Sequence, residues 1–209
     1  MNIFKELIKA ITPFLQENGY RKKGSTFYIK SDKNYGIVNF QRSQDMDQEI
    51  VKFTINLGIY SDVLGKIVDW DYDTAALPEV WSCHWQSRIG CFRPEKQDYW
   101  WKIQAGDSLE AAILEVKDNI QNIIIPEIYR RISDEDLMNR LLTNDFTSST
   151  DLDHFKYLTI FLKEKGDIEV LNDVVEKFML GPDGKKCYDI ATEHLEDIDY
   201  NFIKNDPQN

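Results

Sequence analysis

Between residues 51 and 60 the chain alternates without a break. Val51, Phe53, Ile55, Leu57 and Ile59 fall on one parity, and Lys52, Thr54, Asn56, Gly58 and Tyr60 on the other. A strand turns successive side chains to opposite faces, so this segment predicts a half-buried strand with an apolar side and a polar side. Two shorter segments follow the same rule. In 36–43, Val38 and Phe40 oppose Asn39, Gln41 and Ser43; in 26–30, Phe27 and Ile29 oppose Thr26, Tyr28 and Lys30. The polar connections at 31–34 and 44–48 are short enough for hairpins, which implies antiparallel pairing. Further strands are expected at 86–92 and 99–103, after a long irregular excursion over 61–85.

The remaining periodicity is helical. Phe4, Leu7, Ile8, Ile11 and Leu15 form one stripe over residues 2–18, with Asn18-Gly19 as its stop. Pro13 supplies no N–H and is expected to kink or restart that helix. From Asp107 the period changes again. Asp107 and Glu110 resemble a capping box, and Leu109, Ala112, Ile113, Val116 and Ile120 make a stripe that Pro126 breaks or re-aims. Beyond it the pattern gives only helices, at about 133–143, 151–165, 168–180 and 185–198. The expected fold class is α+β. An N-terminal helix packs on a small, mainly antiparallel sheet of four to five strands in residues 1–130, and an all-helical array fills residues 131–209.

Charge sharpens this division. The net charge of −11 is carried by the second half: residues 1–105 hold 14 Lys/Arg and 13 Asp/Glu, whereas residues 106–209 hold 11 and 23. An acidic half of this size repels nucleic acid and anionic membrane, and it suits a basic protein partner. The opening residues have no signal-peptide apolar core, because Lys5, Glu6 and Lys9 interrupt them. With Cys83, Cys91 and Cys187 odd in number and irregularly spaced, reduced thiols and a cytoplasmic location are expected.

The candidate chemistry is thin. Cys83, His84 and Cys91 lack the paired spacing and the fourth ligand that zinc needs. Asp69, Asp71 and Asp73 would share a face of an extended chain, and a divalent ion takes such oxygens, yet no calcium-loop glycine or closing glutamate accompanies them. There is no nucleophile elbow and no glycine-rich phosphate loop. No cofactor is expected, and no catalytic residue is nominated.

The strongest signal is aromatic. All five tryptophans (Trp70, Trp81, Trp85, Trp100 and Trp101) fall within 32 residues, and tryptophan concentrates in binding sites as well as in cores. The polar side of the strands carries Asn39, Gln41, Asn56 and Arg88, although asparagine is depleted in strands. Gly58 and Gly90 share that side and suggest a close approach to the backbone. Asn39, Gln41, Asn56, His84, Trp85, Arg88, Trp100 and Trp101 are therefore the expected ligand- or partner-binding residues. They suit an anion or a polar segment of a partner.

Five stretches also resemble a bacterial family described only as domain of unknown function 4304. They are Gly24-Ser25-Thr26-Phe27-Tyr28, Val38-Asn39-Phe40-Gln41-Arg42-Ser43, Phe53-Thr54-Ile55-Asn56-Leu57-Gly58, Cys83-His84-Trp85-Gln86-Ser87-Arg88-Ile89-Gly90 and Trp100-Trp101. The resemblance spans about residues 2–125, leaves the helical tail outside and implies no activity. Three functions follow as expectations. The first is a non-enzymatic binding protein, such as an immunity- or antitoxin-like factor masking a basic partner. The second is a sensor of a small polar or anionic ligand around Arg88. The third is a metal-dependent hydrolase built on Asp69, Asp71 and Asp73.

Overall fold

A computed structural model describes residues 2–44, 50–69, 71–104, 108–145 and 150–201. Trp70, Asp107 and most of the 44–48 connection lie outside the described residues. In chain order the elements are α1 (Ile3–Glu17), β1 (Arg21–Lys23), β2 (Thr26–Ser31), β3 (Asn34–Arg42), β4 (Ile50–Tyr60), α2 (Asp62–Val68), β5 (Trp85–Arg88) and β6 (Trp101–Gln104). They continue as α3 (Leu109–Asn119), α4 (Ile125–Tyr129), α5 (Asp134–Leu142), α6 (Asp151–Lys165), α7 (Ile168–Leu180), α8 (Pro182–Lys186) and α9 (Tyr188–Asp197). The expected architecture is the observed one: a helix, an antiparallel sheet, then a helical array. The chain divides into two compact units, residues 1–61 with 75–133 and residues 62–74 with 134–209. The expected boundary near residue 130 thus needs one amendment, because α2 belongs to the helical unit.

In the first unit the strands run β1-β2-β3-β4-β5, with β6 pairing β4 beyond the end of β5, and every pairing is antiparallel. The alternation in 51–60 sorts as expected. Phe53, Ile55, Leu57 and Ile59 are fully buried, as are Phe27, Val38 and Phe40 on the neighbouring strands. Leu7, Ile8, Ile11 and Leu15 bury the apolar stripe of α1, and Phe4 sets its ring 6.1 Å from that of Phe53. Asn2 caps α1 by accepting from Lys5 N–H. The helix runs through Pro13 without a break, so of the expected kink or restart the restart does not occur. Arg21, Lys22 and Lys23 form the exposed edge strand β1. Charged edge residues discourage pairing with another chain.

Ser108, adjacent to the expected cap at Asp107, closes the start of α3 by accepting from Ala111 N–H. The change of direction expected at Pro126 takes the form of a π-turn over Ile120–Ile124. Pro126 then sits in the first turn of α4, where its missing N–H leaves no bond unmade.

The helical unit starts α6 with a capping box between Thr150 and Asp153 and ends it on the left-handed Gly166. Phe155 and Phe178 stack at 4.1 Å. His194 is buried beside Thr159. The single helix expected at 185–198 is two, α8 and α9, parted at Cys187. No described helix is long and apolar enough to cross a membrane.

Candidate functional site

Strand register places the polar candidates in one row. Thr26 pairs with Asn39, Asn39 with Asn56, and Asn56 with Arg88, so the four side chains cross four strands on a single face. Arg88 Nε donates to Asn56 Oδ1 at 3.2 Å. Asn56 Nδ2 donates to Asn39 Oδ1 at 3.2 Å and to Gln41 Oε1 at 2.9 Å. Asn39 Nδ2 donates to Thr26 Oγ1 at 2.9 Å. At the other end of the row Arg88 Nη1 donates to both oxygens of Asp98, at 3.0 and 3.1 Å. Trp100 Nε1 donates to the same carboxylate at 2.8 Å, and its ring lies beneath the guanidinium. The Trp100 hydrogen bond, reinforced by Arg88, holds the Asp98 carboxyl below the usual carboxylate range.

The Asn56–Arg88 end of this row lines an open groove of about 650 Å³, bordered also by Gln41, Trp81, Lys96 and Asp98. Trp81 is 73 % exposed at its wall. Much of the rest of the polar face is closed. Tyr28, Ile37 and Cys83 pack together there, flanked by Leu77 and Val80 from the excursion.

Five of the eight expected residues thus meet at or beside the groove: Asn39, Gln41, Asn56, Arg88 and Trp100. The other three do not. Trp85 pairs with Ile59 on the core face and is 2 % exposed, beneath the Arg131 guanidinium. Trp101 stacks on Phe53 at 5.1 Å on that same face. His84 is buried against Tyr60, and its Nδ1 accepts from Ser61 N–H at 3.1 Å. The glycine signal also belongs to the chain itself. A Cβ on Gly58 would meet Cys83 Sγ at 2.5 Å, and one on Gly90 would meet Gln97 O at 1.9 Å. Those close approaches are internal packing.

Sequence reasoning missed Asp98 and Lys96 altogether, and it named Trp81 without assigning it. Asp98 had no local signal, since its role depends on a loop that returns to β5. Asp69, Asp71 and Asp73 lie in the excursion, and among the described residues no group of three His, Cys, Asp or Glu could hold a metal ion. Smaller clefts in the helical unit, of about 350 and 360 Å³, are lined mainly by Leu141, Phe155 and Phe178 and by Met138, Phe161 and Glu164.

Burial of His84 lowers its pKa to about 3. An unfolded chain would protonate this imidazole near pH 6.5, while the folded chain does not. Stability is therefore complete above pH 6.5 and declines as the pH falls towards 3. Between pH 6.5 and 5 the expected loss from this group is about 2 kcal/mol. Thermal melts across that range check it, with His84→Asn expected to reduce the slope and the buried His194, its pKa lowered to about 4, supplying much of the remainder.

No curated protein and no solved structure matches the chain. A family model does match, over residues 11–130, a span that contains the whole groove and more than half of the sequence. The chain belongs to the family described as Domain of unknown function (DUF4304).

Proposed function

We propose that the protein is a non-catalytic binding protein, and that its site is the groove between Trp81 and Arg88 on the polar face of the sheet. The observation that supports it is the row Thr26–Asn39–Asn56–Arg88. The central strands β3 and β4 give positions to amides, and the edge strand β5 one to an arginine, where aromatic or β-branched side chains would favour the sheet by up to about 1 kcal/mol each. The exposed Arg88–Asp98 pair returns little of that, since such pairs contribute about 0–1 kcal/mol. The hydrogen bonds along the row offset the lost propensity, at about 0.5–1.5 kcal/mol each, so the sheet tolerates the arrangement without requiring it. A concave site of several hundred cubic ångströms with a few oriented polar groups and an aromatic wall fits a small ligand.

Thermal-shift screening of a metabolite library tests the reading. At a hundredfold excess over Kd a ligand stabilises the folded chain by about 2.7 kcal/mol. Authentic ligands should also slow alkylation of the exposed Cys91, which borders the groove. Their shift should vanish in Trp81→Ala and in Arg88→Ala. Hits that persist undiminished in both variants and leave Cys91 reactivity unchanged would remove the groove from the function.

A second reading draws on the surplus of acidic residues in 106–209, which favours a basic protein partner held and masked by this chain. Capture of a basic protein, weakened by salt but indifferent to Arg88→Ala, would select it instead.

A further inference from the structure

The groove has a hydrogen-bond polarity, and that polarity is set by one residue. An arginine N–H can only donate. Because Arg88 Nε donates to Asn56, the amide oxygen of Asn56 must face Arg88 and its nitrogen must face the other way. The nitrogen meets Asn39 and Gln41, whose oxygens must then face Asn56. Their own nitrogens are thereby turned outwards. That of Asn39 is spent on Thr26 within the sheet. That of Gln41, an exposed residue, meets no acceptor among the described residues and points its two N–H groups at solvent beside the groove. Rotating any one amide by half a turn would set donor against donor along the row.

The other groups agree in sign. Arg88 Nη1 is occupied by Asp98, while Nη2 makes no bond to a described residue. Lys96 borders the groove and pairs with no described carboxylate. Asp98 is the one carboxylate among the groove's described lining residues, and Arg88 and Trp100 already engage it. A chain of net charge −11 thus presents a groove whose charged lining is Arg88, Lys96 and Asp98, a local excess of one positive charge.

Resting on the groove reading above, we infer that the ligand is an oxyanion, a carboxylate or phosphate, carried on a flat apolar body that packs against Trp81. Only acceptors can satisfy Gln41 Nε2 and Arg88 Nη2 together. An ionised acceptor gains charge-assisted hydrogen bonds that a neutral carbonyl does not. The exposed indole offers a face to the rest of the molecule.

The test uses the full ¹⁵N-labelled chain and four probes at constant ionic strength: benzoate, phenyl phosphate, benzamide and benzyl alcohol. The signals followed are the Gln41 side-chain amide and the Trp81 indole N–H. Benzoate or phenyl phosphate should shift both signals saturably, the tighter of the two identifying the oxyanion. The two neutral probes should bind at least tenfold more weakly. The decisive variant is Gln41→Glu. Its carboxylate still accepts from Asn56, so the row and the melting temperature should be preserved, but it offers the groove an acceptor in place of a donor. Affinity for the anion should fall tenfold or more. Equal binding of benzamide and benzoate, or an unchanged affinity in Gln41→Glu, overturns the oxyanion while leaving the groove in place. If none of the four probes moves either signal, the groove reading goes with it.

Discussion

Replacing Arg131 by methionine is expected to cost about 3–5 kcal/mol of stability, measured as a shift in the urea midpoint followed by tryptophan fluorescence. Arg131 is 6 % exposed and pairs with Glu127, which is itself buried. It also donates to the Glu127 carbonyl and lies 4.5 Å above the Trp85 ring. Methionine fills much of the same volume, so the loss is electrostatic: a buried carboxylate is left with only part of its partner set. Arg130 still reaches Glu127 at 2.9 Å from an exposed position, which places the expectation near the lower end. The double variant Glu127→Gln with Arg131→Met should recover most of the loss, because no uncompensated charge then remains. A double variant as unstable as the single would assign the effect to packing over Trp85.

Gly90→Ala is expected to cost about 3 kcal/mol and to destroy the groove at the same time. The added Cβ would lie 1.9 Å from Gln97 O and 2.8 Å from Tyr99 N. Both are backbone atoms, so no side chain can swing aside, and the 97–99 stretch must move. Asp98 lies within that stretch and orients Arg88, so any ligand response at the groove should disappear together with the stability. Gly58→Ala is the natural control. It meets the end of the Cys83 side chain, which can yield more than a backbone can, and its cost should be smaller. Equal midpoints for wild type and Gly90→Ala would show that the loop does not depend on this contact.

The sheet and the polar half of the site were legible because a two-residue period is a local property. It placed Asn39, Gln41, Asn56 and Arg88 on one face, and the register aligned three of them. The tryptophans misled because composition does not distinguish a core indole from a binding one. The same parity contained the answer for Trp85, which stands three residues before Arg88 and so faces the other way. It also separated Trp101 from Trp100. β1 was illegible for a different reason. Arg21, Lys22 and Lys23 are all exposed, so there was no alternation to read, and only pairing with β2 makes the segment a strand. Asp98 and Lys96 reach the site through a returning loop, and no pattern along the chain encodes where a loop returns.

The interleaving of the two units bears on how the chain can be divided. Residues 62–74 lie inside the family match but belong to the helical unit, where Leu64 of α2 is fully buried and α2 packs on α6. A cut after Ser133 would therefore not release a self-sufficient piece. It would strand a short apolar helix without its seat, in the middle of the surviving fragment. Dissecting the protein calls for excising 62–74 together with the tail and rejoining β4 to the returning segment by a polar linker.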